Sequence, residues 1–224
     1  MQPDNPYSAP QVELLDSAGV QSLPGWSARQ LQVLGWLALV SVVVNVLVVG
    51  LLFAGALLEA HEAELLFGYT DWLRMALTLL GCYLLLRFKA FAEARFAARN
   101  LSVPVWAVLV VSLLLELADL LFGEQLFAGL DWQTLSYVAL LCLTGLCTTW
   151  LGIRLLKLQY PYPSLKVMAW LDIVGGLMLT SVLLMLVALL PLLGAGVALM
   201  LVFFKGAAEL QGGRTDCVQT ARAV

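Results

Sequence analysis

The sequence predicts an all-α polytopic membrane protein, six transmembrane helices arranged as three hairpins. Three observations predict it. Of 224 residues, 62% are hydrophobic and only 12% charged, with a mean hydropathy of +0.92; soluble domains carry about 25% charged residues. The apolar residues fall into runs of about 20, the length that crosses ~30 Å of hydrocarbon at 1.5 Å per residue. Eleven of the twelve lysines and arginines lie on one side of those runs.

The first span is expected over Leu31–Leu58, with Ser27 ahead of it as an N-cap. The second covers Trp72–Phe91, its helix able to continue through AEARFAARN. Val103–Phe122, Thr134–Leu156 and Lys166–Leu189 follow. Pro191 with Gly194 and Gly196 interrupts the next apolar run, leaving a sixth and shortest span over Leu192–Ala208. Residues 1–27 are expected as a disordered cytoplasmic tail, 28–210 as the transmembrane domain and 211–224 as a flexible cytoplasmic tail. The first 25 residues contain four prolines and no apolar core of signal-peptide length.

Within the tail, NPYSAP at 5–10 resembles the Asn-Pro-Tyr-x-x-Pro start of uncharacterised bacterial multi-pass inner-membrane proteins. GWL at 35–37 and YPYP at 160–163 are similar to the layout of such families. The resemblance implies a bacterial inner membrane and no particular chemistry.

Basic residues flank spans on the cytoplasmic side. Arg29 precedes the first span; Arg87, Lys89, Arg95 and Arg99 lie between the second and third; Arg154, Lys157 and Lys166 between the fourth and fifth; Lys205, Arg214 and Arg222 after the sixth. Only Arg74 falls opposite, among Glu59, Glu62, Glu64, Asp71, Glu124 and Asp131. Both termini are therefore expected in the cytoplasm. Trp36, Trp106 and Trp170 each stand near the start of an outward-going helix, where an indole rests among headgroups; the recurrence also fits a degenerate three-fold repeat.

Intramembrane acids need an account, because a carboxylate at mid-bilayer costs about 2.5–3.5 kcal/mol on insertion scales. In SLLLELADLLFG (112–123), Glu116 and Asp119 share one helical face. They stand about 20 and 24 Å along the helix axis from Val103, in the outer half of the span. One reading has them bonding Asn45, Thr78, Tyr83 or Thr144 to fix helix register. The other has Asn45, Glu116 and Asp119 forming an intramembrane polar site open to the outside, able to hold a cation or exchange a proton. Symmetry about the cytoplasmic turns further suggests two base–acid pairs, Arg87 with Glu116 and Arg154 with Asp172, the latter a hairpin ion pair near the inner surface.

Small residues at Gly145 and Thr149 in the fourth span, and at Gly175, Gly176, Thr180 and Ser181 in the fifth, mark tight helix contacts. Cys82, Cys142 and Cys147 read as buried small hydrophobes and Cys217 belongs to the tail; none lies in an outer loop, so no disulfide is expected. The single histidine, His61 in EAHEAE, sits in a solvated acidic loop rather than a metal site. No GxxxxGK[ST], HExxH or GxSxG motif occurs. The sequence thus predicts neither enzyme, metal nor cofactor. A net charge of −3 argues against nucleic acid. The expected partners are the lipid bilayer and other membrane proteins or further copies of the chain. The leading expectation is a non-enzymatic accessory or scaffold protein; the alternative is a small transporter or channel with an acidic site open to the periplasm.

Overall fold

The computed structural model describes residues 25–55, 57, 60–96, 98, 100–123, 131–158 and 161–222, with backbone alone at 60–67, 182 and 213–222. The NPYSAP stretch, Arg99 and Glu124 lie outside the described residues, and the side chains of His61, Arg214 and Cys217 are outside them too.

Six α-helices are present among the described residues: α1 Ala28–Gly55, α2 Ala60–Phe96, α3 Ser102–Phe122, α4 Trp132–Leu156, α5 Pro163–Thr180 and α6 Met185–Arg222. Five of them, all but α5, are long and apolar enough to cross a membrane. The protein is a polytopic membrane protein built as an all-α bundle.

Local chemistry explains the ends. The Ser27 hydroxyl accepts from the Gln30 backbone N–H at 3.2 Å while the Gln30 side-chain oxygen accepts from the Ser27 N–H, also 3.2 Å. This reciprocal capping box satisfies two of the donors an N-terminus leaves open. Pro163 opens α5 in the first turn, where its missing N–H costs nothing. α2 begins at Ala60, so most of EAHEAE, expected as a loop, is helical backbone, and the helix also runs on through the basic stretch to Phe96.

The largest departure from expectation lies between the last two helices. A single span over Lys166–Leu189 does not form. α5 stops at Thr180, Ser181 turns extended (φ −87°, ψ 107°), and a 3-10 turn over Val182–Leu184 leads into α6. Pro191, expected to break the chain, sits seven residues into α6. There it removes only the bond to the Val187 carbonyl, a defect that membrane helices tolerate. α6 also continues to Arg222, through residues expected as a tail, in a stretch with no proline to stop it.

The helices form a closed ring in chain order, α6 returning to α1, with the sparsest interface between α2 and α3. Neighbours are antiparallel: Trp36 of α1 meets Phe204 of α6 edge to face at 5.7 Å, and Gly175 of α5 faces Pro191 and Leu192 of α6. The sides of α4 and α5 expected to be small meet as anticipated. A Cβ on Gly145 would stand 2.5 Å from the Gly176 carbonyl oxygen, and Thr149 and Thr180 fold their hydroxyls back onto their own helices, accepting contact at backbone distance.

This antiparallel ring has two unlike ends. Arg29, Lys89, Arg95, Arg154, Lys157, Lys166 and Lys205 gather at one, and Asp71, Arg74 and Asp131 at the other. The hydrophobic core fills the basic half. Phe88 and Phe91 of α2 meet Phe203 of α6 edge to face, and Leu31, Leu101, Val105, Leu155 and Leu165 close around them, all fully buried. The expected interfacial indoles, Trp36, Trp106 and Trp170, stand exposed on the outside of this half.

Candidate functional site

At the acidic end the ring opens. A cavity of about 1110 Å³ lies between α2 and α3, reaching Leu52 of α1. Small-molecule sites commonly enclose about 300–1,000 Å³. Its polar lining is Asp71, Arg74 and Thr78 from α2 with Glu116 and Asp119 from α3.

The spacing on each helix builds this cluster. Arg74 and Thr78 are one turn apart, as are Glu116 and Asp119, so two stacked pairs face one another across the antiparallel interface. Arg74 forms an ion pair with Asp119, and a longer one of 3.8 Å with Asp71. The Thr78 hydroxyl donates to Glu116 Oε2 at 2.9 Å. Tyr137 of α4 lies close to Asp119. Arg74 also lies near enough to Glu116 to feel its charge.

The structure therefore brings Glu116 and Asp119 together at one cavity and leaves Asn45 out of it. Asn45 Nδ2 donates to the Ser41 carbonyl of its own helix at 2.8 Å, and the cavity lining does not include it. Of the four partners considered for the acids, Thr78 is the one engaged. Arg74, by charge counting the lone base on the acidic side and an exception to the rule, is the counter-ion of Asp119.

Neither expected base–acid pair forms. Arg154 is two residues beyond Gly152, about 200° around α4. Gly152 packs on Ala169 and Ile173 of α5, which turns Arg154 away from Asp172 and towards Ser102, Val103 and Pro104 at the start of α3. Asp172 is buried, 7% exposed, and its Oδ2 has no hydrogen-bond partner. Arg87 lies over the Trp26 ring at 4.7 Å instead of reaching Glu116. The centre of the α2–α3 hairpin, set by Arg74–Asp119 and Thr78–Glu116, falls near residue 97 and not at Leu101, so Arg87 stands too far along the axis.

A second polar cluster at the basic end was missed altogether. Tyr162, in the linker before α5, donates to Glu209 of α6 at 2.5 Å and accepts from Arg95 Nε of α2 at 3.3 Å; Arg95 also pairs with Glu209 at 3.2 Å. Lys205 sits over the Tyr162 ring at 4.9 Å. Burial, then the bond to Glu209, pushes the Tyr162 phenol up to about 12. Nothing in local spacing signals this triad, because its members come from residues 95, 162 and 209. Among the described residues no group of three or more metal-ligating side chains is found.

Compared with known proteins, the chain matches no family model, no curated protein and no solved structure.

Proposed function

We propose that this is a six-span protein of the bacterial inner membrane with both termini in the cytoplasm, acting without catalysis as an accessory or scaffold protein. α5, 18 residues or about 27 Å long, serves as the fifth span. Its basic end faces the cytoplasm by the asymmetry of lysine and arginine, which places the cavity at the periplasmic side.

The observation that carries this reading is the use made of the intramembrane charges. Glu116 and Asp119 are engaged across the α2–α3 interface by Thr78 and Arg74, joining helices that otherwise touch least. Beyond them, Phe88, Phe91 and Phe203 fill the bundle's basic half. A cavity confined to the acidic half, with a packed aromatic core filling the other half, suits holding something rather than passing it through.

Transport is the second reading, favoured by the same cavity, since it brings open space to Glu116 at hydrocarbon depth. Proton and cation flux into vesicles reconstituted with the purified chain separates the two. The accessory reading expects wild-type vesicles to leak no faster than protein-free ones. A pH-dependent flux that Glu116→Gln abolishes would replace it with transport.

A further inference from the structure

The walls of the acidic-end cavity belong to the outside of the bundle. Trp72 and Leu79 on α2, and Leu113, Leu117 and Leu120 on α3, line it and are exposed. They continue the uncovered stripes that carry Tyr83 and Leu86 on one helix and Trp106 and Val110 on the other. The cavity is thus a groove open sideways to lipid, and its charges lie on the floor.

Those charges do not balance. Among the described residues Asp71, Glu116 and Asp119 face a single guanidinium, and no other basic side chain lines the groove. Arg74 is taken by Asp119 and Asp71. Among the described residues Glu116 accepts from the neutral Thr78 hydroxyl and feels Arg74 only as a nearby charge. Leaving a carboxylate so placed against hydrocarbon is costly. An occupant that enters from the bilayer and relieves this must bring a positive charge with N–H donors, and a hydrocarbon body to lie along the leucines. Depth agrees: Glu116 stands about 21 Å from the start of α3 in a core of ~30 Å, within reach of the headgroups at the acidic end.

We infer that the groove is a site for an aminophospholipid of the leaflet at that end, its primary ammonium donating to Glu116 and an acyl chain lying along Leu79, Leu113 and Leu117. This rests on reading the cavity as a place of binding. A trimethylammonium headgroup carries the same charge but has no N–H to give, so the site discriminates by hydrogen bonding.

The test is native mass spectrometry of the full chain, purified in mild detergent and offered equal amounts of phosphatidylethanolamine and phosphatidylcholine with identical acyl chains. Wild type is expected to retain the ethanolamine lipid about ten-fold over the choline lipid, the scale of one charge-assisted hydrogen bond. Glu116→Gln, which keeps an acceptor but loses the charge that strengthens the bond, should lower that ratio several-fold. Leu117→Trp, which fills the groove and leaves every charge in place, should lower retention of both lipids and serves if Glu116→Gln fails to fold. A wild-type ratio near one, a ratio unchanged in Glu116→Gln, or retention unchanged in Leu117→Trp would overturn the assignment. The accessory reading falls on flux and this one on retention, so the two failures are distinguishable.

Discussion

Arg74 is the residue on which the acidic end turns. One guanidinium satisfies Asp119 and reaches Asp71 while standing near Glu116. Removing it leaves the partly buried Asp119 carboxylate without its counter-charge, one turn from Glu116 on the same helix face. Breaking a buried pair from one side costs about 3–5 kcal/mol, and the partial exposure of this one scales that down to about 1–2 kcal/mol. Arg74→Met should therefore lower the thermal midpoint of the detergent-solubilised protein, and Arg74→Met with Asp119→Leu should recover most of the loss. A double variant as unstable as the single would show that the pair is not what Arg74 supplies. At this scale the sequence was half legible. Two acids one turn apart had to face protein, and Thr78 stood among their possible partners. The Arg74 bond was not seen because it needs the register of the α2–α3 hairpin, which hydropathy sets only to within several residues. Arg154 and Asp172 fail for a different reason: symmetry about a turn gives height along an axis and says nothing of azimuth.

At the scale of elements, two devices hold the ring. One is backbone-distance packing of α4 on α5, where Gly145 and Gly176 leave no room for a side chain. Gly176→Leu should cost about 1–3 kcal/mol by overpacking, read as a lower midpoint in thermal melts; an unshifted melt would contradict the close approach. This contact was legible from small residues at four-residue spacing. The other device is the Arg95–Tyr162–Glu209 triad, which ties the end of α2 and the body of α6 to the linker before α5. Its pH dependence has a definite sign. The phenol lies at about 12 in the folded chain, against about 10 when unfolded. The unfolded state therefore loses this proton first, and the contribution, complete below pH 10, disappears as pH rises towards 12. Tyr162→Phe should remove that portion of the alkaline decline in unfolding free energy; a decline of equal steepness would sink the assignment. The α5–α6 break is not legible in the sequence, because proline and glycine are the ordinary stop signals and Ser181 is neither. Inside an apolar bundle a proline in the second turn is tolerated, and the chain turned at Ser181 instead.

Across the whole molecule, the asymmetry between the ends organises everything else. Alternating apolar runs with basic residues on one side are enough to dictate an antiparallel bundle, so an all-α membrane bundle was legible from composition and charge alone, though not the bounds of its last two helices. What they do not carry is where the core concentrates. Phe88, Phe91 and Phe203 come from distant stretches, and only the ring closure of α6 on α1 brings them into one plug. The acidic end, with no such buried aromatic cluster among the described residues, is left as a groove between α2 and α3. Its meaning depends on which side of the membrane it faces, and the most direct measurement is labelling of intact cells with a membrane-impermeant maleimide. In a background lacking the four native cysteines, Asp71→Cys should react from outside and Lys157→Cys only after the membrane is opened. Labelling of position 157 in sealed cells, with position 71 protected, would invert the topology and contradict the account.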